Sequence, residues 1–500
     1  MIRATPHKGR TMRRWTDRTC DRSHRAGYRR GRRLGAWLVL PALTLAGGCS
    51  RAVDNIDEVK AATVRILAEG PMAEAGENGE IKIGTGGGSG SGFLVSGDGL
   101  ILTNYHVAMN APNLKVFLNG DPTPRSASLV GASQCNDVAL LKIEGRDLPF
   151  FELDVRQPIK EGDSLFLAGF PRGTETYTLK PGAVSTLKST VNLPSAVLTE
   201  AFEHSADSQP GNSGGPVVRP NGKVVGIHFA GARDYKQPLA ISSRLVANLL
   251  PSLRQGKDDS LGIGIDGSYR GAITGLLVAS VKAGSPANLS GVEPGDLITS
   301  LQNVAVKSQN SVPQFCETIA SRGQDQPLMV ELYRRADRQI LAGPLGKADP
   351  LRTKTSFTPF SFAGYDMLVP TNWSRSDQET VGEGDRAYVR RVAAPDAGAF
   401  NKSYLANGVE IRISRHAQKI NGRDIADLNT HCQGEGKEAT IRNGSITTYV
   451  WDGCRNKASI MLAIASSSRD PAYALGLLTQ LESNLDITER QVMVDSINLP

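Results

Sequence analysis

The stretch QPGNSGGPVV, from Gln209 to Val218, surrounds one serine with glycines and ends in an apolar pair typical of a strand. Glycines permit backbone conformations that other residues rarely adopt, and Ser213 lies at the centre of this turn. The pattern predicts either an ordinary tight turn or a serine presented as a nucleophile. The second interpretation needs a base within hydrogen-bond reach, and a group that orients the base, elsewhere in the chain.

Two upstream motifs can supply these partners. ILTNYHV ends an apolar run at His106, and CNDVALLKI places Asp137 at the start of another. The competing G-x-S-x-G motif of α/β-hydrolases needs a helix after the serine and its acid and histidine downstream, whereas Pro216 and a Val-Val strand follow here. The set therefore predicts a triad in which His106 takes the proton of Ser213 and Asp137 holds the imidazole in the correct tautomer.

The same glycines predict an oxyanion hole. They let the N–H groups of Gly211 and Ser213 both point at the negative charge that develops on an attacked carbonyl oxygen. A side chain at position 211 would obstruct that arrangement.

From about Ala52 to Leu250 the chain reads as all-β, with short apolar runs separated by Gly, Pro, Asn and Asp. Regular turn signals between many short strands favour a barrel or sandwich. The segment 76–92, GENGEIKIGTGGGSGSG, is interpreted as a long flexible loop within this region.

Two further units follow. Residues 258–345 carry four apolar runs and one helix over about 310–322, and a polar stretch, GPLGKADPLRTKTSFTP, separates them from the rest. Residues 355–500 predict a small α+β domain of unknown role, with a helix near PAYALGLLTQLESNL. The 500 residues are too many for one core, which agrees with several domains.

The basic character of the chain belongs to its start. The net charge is +7, but the first 48 residues hold 12 of the 57 Lys and Arg and only 2 of the 50 Asp and Glu. No basic surface for nucleic acid is therefore expected. An apolar run from Leu34 to about Ala46 follows an arginine cluster, and it is shorter than the roughly 20 residues that span a bilayer. Residues 1–48 thus predict an export signal, with translation starting at Met1 or Met12.

The small residues before Cys49 resemble the lipobox of bacterial lipoproteins, which implies lipid attachment at Cys49 and a membrane anchor; plain cleavage of the signal is the alternative. An exported chain meets an oxidising compartment. Cys432 and Cys454 flank a hairpin signal at Asn443-Gly444, so a disulfide between them is one prediction. Cys135 and Cys316 lie in apolar surroundings and are interpreted as buried thiols. No spacing predicts a metal site, and no cofactor is expected.

Together TNYHV, DVALLKI and PGNSGGPVV resemble the exported HtrA-type, trypsin-like serine proteases of the chymotrypsin clan, over residues 60–345. The resemblance implies a double β-barrel protease over 52–252. Asn212 stands where digestive relatives carry the aspartate used in zymogen activation, so that activation is not expected. Control by loop ordering and oligomer contacts is implied instead, with segment 76–92 as a candidate and a homotrimer as the common assembly.

The resemblance gives conflicting indications of specificity. His228 and Ser208 match the pocket of glutamyl endopeptidases and imply an acidic residue before the scissile bond. Asp207 matches the position that selects Arg and Lys in trypsin. HtrA relatives in general prefer small aliphatic residues, and His228 is equally compatible with a role in the core.

Residues 258–345 resemble the PDZ domain that follows such proteases, through AGSPANLSGVEPGDLI and SLGI. The resemblance implies that the backbone N–H groups of Leu261, Gly262 and Ile263 bind a peptide C-terminus. A bound peptide then adds as a strand to the sheet edge. The alternative is that this unit packs on the protease and binds nothing.

The hypothesis from sequence is a periplasmic or cell-envelope serine endopeptidase, anchored by lipid, that cleaves misfolded or damaged envelope proteins recruited partly by their C-termini. The alternative of a different class is a non-catalytic adaptor whose protease fold presents the PDZ unit. A narrow processing protease with one native target is a third interpretation.

Overall fold

The computed structural model describes residues 51–496 except 77–78, 109–110, 189, 194–195, 230–237, 268, 270, 272, 307–310, 323–325, 346–348, 363–364, 384–386, 404–407, 415–436, 442–445, 452–458, 467–473 and 482–486. The predicted export signal and Cys49 lie outside these residues, as do Cys432 and Cys454. None of the described helices is both long and apolar enough to cross a membrane.

The first six strands form a closed barrel in the order β1-β2-β3-β6-β5-β4. Their bounds are β1 Thr63–Ala75, β2 Ile81–Leu94, β3 Leu100–Thr103, β4 Asn113–Leu118, β5 Arg125–Ser133 and β6 Val138–Ile143. Two short helices join them, α1 Val59–Ala62 before β1 and α2 Tyr105–Ala108 after β3. Inward residues such as Ile66, Leu94 and Ile101 are fully buried and fill the barrel.

The interpretation of segment 76–92 as a flexible loop is wrong. Residues 81–94 form β2, which pairs with β1 from Ile81 opposite Ala75 to Phe93 opposite Thr63. Glycine is unfavourable in strands on average, but here it permits close packing. A side chain in place of Gly90 would collide with Val107, and one in place of Gly92 would crowd Ile66. Close approach of the neighbouring elements thus outweighs local propensity.

A second closed barrel has the order β11-β14-β13-β12-β7-β8. Its strands are β7 Ser164–Gly169, β8 Thr178–Lys188, β11 Ala201–His204, β12 Pro216–Val218, β13 Val224–Phe229 and β14 Leu239–Ser242, with the small pair β9 Val191–Asn192 and β10 Val197–Leu198 beside it. Helix α3, Ser243–Arg254, follows β14. An apolar cluster that includes Phe93, Leu140 and Ile227 packs the two barrels together.

The next sheet has the order β15-β16-β17-β19-β20-β21-β22, with β18 beside β17. The strands are β15 Ile263–Asp266, β16 Leu276–Val281, β17 Leu297–Leu301, β18 Val304–Ala305, β19 Leu328–Arg334, β20 Gln339–Leu345, β21 Arg352–Phe362 and β22 Tyr365–Pro370; the helices are α4 Pro286–Leu289 and α5 Ser311–Ser321. The polar stretch after position 343 is not a free spacer, because β21 pairs with β20 and continues the sheet.

A further sheet of the order β23-β25-β26-β30-β29-β28-β27, with β24 beside β25, completes the described chain. Its elements are β23 Ser374–Arg375, β24 Glu379–Val381, β25 Tyr388–Ala394, β26 Gly408–Ser414, β27 Lys437–Ile441, β28 Ile446–Trp451, β29 Ser459–Ser466 and β30 Ala474–Leu481, with α6 Ala397–Ser403 and α7 Ile487–Asp495. The predicted fold class of two β-barrels followed by a PDZ unit is confirmed, and the described part of the chain after it is mostly β.

The helix expected near residues 471–485 is wrong, because residues 474–481 form β30. A short apolar run such as ALGLLTQL does not distinguish a helix from a buried strand by periodicity. Here β30 has a strand on each side: it pairs with β29 along its whole length and with β26 from Ala474 to Gln480. Pairing within the sheet decides the conformation.

The interpretation of Cys135 and Cys316 as free thiols is also wrong. They form a disulfide with their Cα atoms 5.6 Å apart, across 181 residues of sequence. Cys135 lies between β5 and β6 of the first barrel, and Cys316 lies in α5 of the PDZ unit. Apolar surroundings suit a cystine as well as a thiol, and only the packing of the two units brings the pair together.

Candidate active site

His106 lies in α2, directly after the strand that crosses the first barrel. The apolar run of β3 is buried and ends at Thr103, and Asn104 then turns the chain into α2. The Asn104 amide donates to the carbonyl of Asp137 at 3.0 Å, and the Tyr105 N–H donates to the same oxygen at 3.2 Å. These bonds fix the start of α2 against the turn that carries Asp137.

Asp137 holds His106 at two points. Its Oδ2 lies 2.7 Å from Nδ1 of the imidazole, and its Oδ1 accepts from the backbone N–H of His106 at 2.8 Å. The carboxylate side chain is 1% exposed, whereas 27% of the imidazole is exposed. One carboxylate thus fixes both the backbone and the ring of His106, and Nε2 is the ring nitrogen left for a substrate or nucleophile.

Ser213 lies where the two barrels meet. It follows β11 and precedes β12 of the second barrel, and its carbonyl accepts from the N–H of Ser91 in β2 of the first barrel at 2.8 Å. Gly214 has a φ of +85°, and a side chain there would collide with Ser91 and Thr103. The glycines of the turn therefore allow it to pack closely against β2 and β3. Of these two strands, β3 leads directly to His106.

Ser91 is a site residue that the sequence analysis missed. Its hydroxyl donates to the carbonyl of Gly211 at 2.8 Å and accepts from the N–H of Phe170 at 2.9 Å. Together with its backbone bond to Ser213, it braces the turn that carries Ser213 from the opposite barrel. Nothing in the run GSGSG distinguishes this serine from Ser89, because the contact depends on the seam between the barrels.

The expected oxyanion turn has the backbone that its glycines predicted. Gly211 has a φ of +97°, in the left-handed region that favours glycine. A side chain there would lie 2.6 Å from the backbone nitrogens of Arg172 and Gly173. The buried Asn212 adjoins Gly211 and is 2% exposed.

His228 and Ser208 lie together beside the turn that carries Ser213. Ser208 Oγ is 2.6 Å from His228 Nε2, and His228 Nδ1 is 3.0 Å from Nε2 of His204. The backbone of His228 pairs with Gly214 and Gly215 at 2.9 Å. The three side chains therefore form a hydrogen-bonded row that reaches from the core of the second barrel to the site.

Both histidines of the row are held neutral. Burial lowers the pKa of His204 to about 4. Burial, and then repulsion from His204 and His106, lowers the pKa of His228 well below its usual value. A neutral imidazole can donate through one nitrogen and accept through the other. His204 can therefore donate to His228 and His228 to Ser208, which leaves the Ser208 hydroxyl free to donate to a ligand.

Asp207 lies apart from this row. Its side chain is 67% exposed and its Oδ2 is 3.6 Å from Nζ of Lys180. The adjacent residue Ser208 points to His228 instead. Of the three residues expected in a specificity pocket, the structure brings Ser208 and His228 together and places Asp207 at the surface.

The expected carboxylate-binding loop of the PDZ unit lies at the start of β15. Leu261 and Gly262 have φ values of +54° and +83°. The N–H of Gly262 donates to the hydroxyl of Ser260, and the N–H of Ile263 donates to the carbonyl of Ser260, both at 3.0 Å. In this conformation the loop is bonded to its own chain.

Two segments of the chain match known domain families. Residues 90–227 match the family model of the trypsin-like peptidase domain, and residues 253–342 match that of the PDZ domain. Similar curated proteins include two named "Probable periplasmic serine endoprotease DegP-like". The one from Hahella chejuensis is 32% identical over 276 residues, covering 52% of this chain and 57% of the relative. The one from Pseudomonas putida (strain W619) is 31% identical over 277 residues, covering 51% and 55%.

This chain therefore spans a little more than half the length of these relatives. Among solved structures, the serine endoprotease from Yersinia pestis is similar with a TM-score of 0.34 and 24% identity, covering 59% of this chain and 94% of that chain. The resemblance to trypsin-like proteases of the HtrA and Deg type with a PDZ domain is confirmed by the two domain matches and the serine endoprotease relatives.

Proposed function

We propose that this protein is an exported serine endopeptidase that hydrolyses peptide bonds of misfolded or damaged envelope proteins with a triad of His106, Asp137 and Ser213. The observation that carries the proposal is the double contact of Asp137 with the ring and the backbone of His106, at 2.7 and 2.8 Å. The peptidase-domain match over residues 90–227 and the naming of the relatives as periplasmic endoproteases support it.

The proposed mechanism gives each of these residues one role. Nε2 of His106 takes the hydroxyl proton as Ser213 Oγ attacks the substrate carbonyl, and Asp137 stabilises the imidazolium that forms. The N–H groups of Gly211 and Ser213 bind the oxyanion of the tetrahedral intermediate. The imidazolium then returns its proton to the leaving amine, which gives an acyl-enzyme at Ser213 and frees the new amino terminus. Water, activated by the same imidazole, hydrolyses the ester.

Bracing of the nucleophile turn by Ser91 gives a first testable expectation. Ser91→Ala removes the hydroxyl that joins Gly211 to Phe170 and leaves two buried groups unpaired, which costs about 1–3 kcal/mol of unfolding free energy. The loosened turn should also lower kcat by about tenfold. Urea unfolding and hydrolysis of a fluorogenic peptide measure both effects. Ser89→Ala, on the exposed part of the same strand, is the matched control, and equal behaviour of the two variants would contradict the role of Ser91.

The side-chain preference is part of the proposal. A substrate carboxylate at the residue before the scissile bond would accept hydrogen bonds from Ser208 and His228. The hydrogen bond between His204 and His228 orients the His228 ring for that donation. The surface pairing of Asp207 with Lys180 does not favour selection of Arg or Lys. We therefore expect cleavage after Glu or Asp.

Ser208→Ala tests this preference. Loss of one hydrogen bond to a charged group should lower kcat/KM for a peptide with Glu before the scissile bond by about tenfold or more, since such a bond contributes about 1.5–3 kcal/mol. The same value for a peptide with Ala at that position should stay unchanged. Asp207→Asn is the control at the neighbouring residue and should alter neither. A loss of cleavage after Arg or Lys in Asp207→Asn would instead assign the pocket to basic residues.

The remaining parts of the proposal concern location and partners. A lipid on Cys49 would keep the enzyme at the membrane of the periplasm or cell envelope, close to unfolded protein substrates. The resemblance to HtrA-type proteases favours a homotrimer. Binding of substrate C-termini by Leu261, Gly262 and Ile263 is also proposed, and it requires that the groups now bonded to these residues move away.

The proteolytic activity itself is tested by incubating the protein with a reduced, unfolded protein mixture and identifying the new amino termini by mass spectrometry. We expect cleavage that Ser213→Ala abolishes. Absence of cleavage, together with binding of peptide C-termini, would favour the non-catalytic adaptor.

A further inference from the structure

The loop that joins β5 to β6 connects the protease to the PDZ unit. We call residues 133–136, with the sequence Ser-Gln-Cys-Asn, the Asp137 loop, because Asp137 follows it directly. The N–H of Asp137 donates to the carbonyl of Gln134 at 3.0 Å. The position of the carboxylate that holds His106 thus depends on the shape of this loop.

The first contact of the loop is with the outer edge of β15. With its amide oriented to satisfy both partners, Gln134 donates to the carbonyl of Ile263 at 2.7 Å and accepts from the N–H of Ile265 at 3.0 Å. Residues two apart in a strand point their backbone groups to the same edge. In the sheet described above, β15 is terminal and has β16 on its other side.

The side chain of Gln134 therefore occupies the backbone groups that an added peptide strand would use. The hydroxyl of Tyr105, the neighbour of His106, also donates to the carbonyl of Ile263 at 3.1 Å. Two residues from the protease, one adjacent to His106 and one three positions before Asp137, thus bind the edge of the PDZ sheet.

The second contact is covalent. Cys135 follows Gln134 and is joined to Cys316 of α5. The loop therefore lies between the edge of β15 and helix α5 and is held to both. A pocket of about 830 Å³ borders this disulfide and is lined by Asn136, Thr190, Pro313 and Glu317, among others. A small thiol reagent can approach the bond through this pocket.

The third contact is with the segment that enters the PDZ unit. The carboxylate of Asp259 accepts from the Ser133 hydroxyl at 2.8 Å and from the N–H of Gln134 at 2.7 Å. The N–H of Ala132 donates to the carbonyl of Lys257 at 2.9 Å. The PDZ unit and its connection thus hold the Asp137 loop on three sides.

These contacts can affect the position of Asp137 because its backbone has an unfavourable conformation. Its φ is +52°, a left-handed conformation that a residue with a side chain adopts at a cost and keeps only when its surroundings fix it. Ordinary packing between two domains requires neither the two hydrogen bonds of Gln134 to the edge of β15 nor the disulfide between Cys135 and Cys316. All of these contacts are made by the Asp137 loop, whose shape determines the position of the Asp137 carboxylate.

We propose that the PDZ unit positions the catalytic aspartate by binding the Asp137 loop in its own groove, and that the Cys135–Cys316 disulfide is a redox-sensitive clamp on that arrangement. The inference rests on the proposed peptidase function. Gln134 is a positioning residue that acts through Asp137. While the clamp is closed, the edge of β15 is occupied by the protease, and an external peptide competes with Gln134 for it.

Opening of the clamp is a thiol–disulfide exchange. A thiolate of a dithiol reductant attacks one cysteine sulfur, the Cys135–Cys316 bond breaks, and the other cysteine leaves as a thiolate. The second thiol of the reductant then resolves the mixed disulfide. Two electrons and two protons pass from the dithiol to the cysteine pair, and the reductant becomes a disulfide.

The test compares the oxidised and the reduced enzyme in a variant with Cys20, Cys49, Cys432 and Cys454 each changed to Ala, which leaves Cys135 and Cys316 of the six cysteines. Dithiothreitol should lower kcat for a fluorogenic peptide by about tenfold to a hundredfold, as a displaced catalytic group does. KM should change little, and removal of the reductant with reoxidation should restore kcat. Cys316→Ser in the same background should have the low kcat under both conditions.

Gln134→Ala tests the hydrogen bonds between the Asp137 loop and the edge of β15. It should lower kcat without a matching rise in KM, whereas Gln314→Ala, in α5 with its amide bonded to the carbonyl of Ala305 at 3.1 Å, should leave kcat unchanged. A fluorescein-labelled hexapeptide ending in valine should bind the reduced Gln134→Ala protein and not the oxidised wild type.

The outcomes separate the two proposals. Equal kcat in the oxidised and reduced enzyme, or a higher kcat after reduction, overturns the clamp and leaves the peptidase assignment intact. If the hexapeptide binds the oxidised wild type as tightly as the reduced Gln134→Ala protein, the proposal that the Asp137 loop occupies the edge of β15 is wrong. Absence of hydrolysis under every condition overturns the proposed function itself.

Discussion

Ser213→Ala is expected to lower kcat for peptide hydrolysis by about 10⁴-fold or more. The substitution removes the nucleophile and leaves the rest of the turn in place, since the bonds of position 213 with Ser91 and of Gly214 with His228 use backbone atoms. Rates with a fluorogenic peptide, measured beside the thermal unfolding midpoint of each protein, show whether the loss comes from chemistry or from the fold.

Ser205→Ala is the matched control for this prediction. Ser205 lies eight positions earlier on the same segment, and its hydroxyl accepts from the N–H of Ala183 at 3.0 Å at the surface. It should keep full activity. Residual hydrolysis by Ser213→Ala close to that of the wild type would contradict a role of Ser213 as nucleophile.

Asp137→Asn is expected to lower kcat by about 10⁴-fold, because it changes the tautomer of His106. The amide oxygen can still accept from the backbone N–H of His106, so the turn keeps its shape. The amide NH₂ then faces Nδ1, which must act as an acceptor, and the ring proton moves to Nε2. An imidazole protonated at Nε2 cannot take the proton of Ser213.

The control carries the same loss of charge at a distance from His106. Asp207→Asn removes an exposed carboxylate that pairs with Lys180 and should leave kcat unchanged. If Asp137→Asn hydrolyses the fluorogenic peptide as fast as Asp207→Asn does, the contact at 2.7 Å between Asp137 and His106 is structural only.

The strand ends that carry the three proposed triad residues were predictable because their signals are local. His106 follows the buried strand β3, Asp137 precedes the buried strand β6, and the glycines around Ser213 report a turn with positive φ values. Each motif places a polar residue at the end of a strand, and the chain order limits how they can meet. The same locality explains why the two barrels and the PDZ unit could be expected.

The features that were missed all depend on contacts between distant segments. Ser91 braces the nucleophile turn across 120 positions of sequence, and Cys135 pairs with Cys316 across 181. Gln134 binds the edge of β15 only because the PDZ unit packs on the barrel. The predictions for the glycine-rich β2 and for β30 were wrong because pairing with neighbouring strands outweighs the local sequence, even where, as for β1 and β2, the two strands are consecutive.

Labelling of the intact protein with a fluorophosphonate tests the central claim most directly. The reagent modifies a serine only when a neighbouring base activates it, so it reports on His106, Asp137 and Ser213 as one unit. Mass spectrometry of the digested protein should find one adduct, on Ser213, in the wild type and almost none in Asp137→Asn. A folded wild type that remains unlabelled, or that is labelled at another serine, would contradict the account.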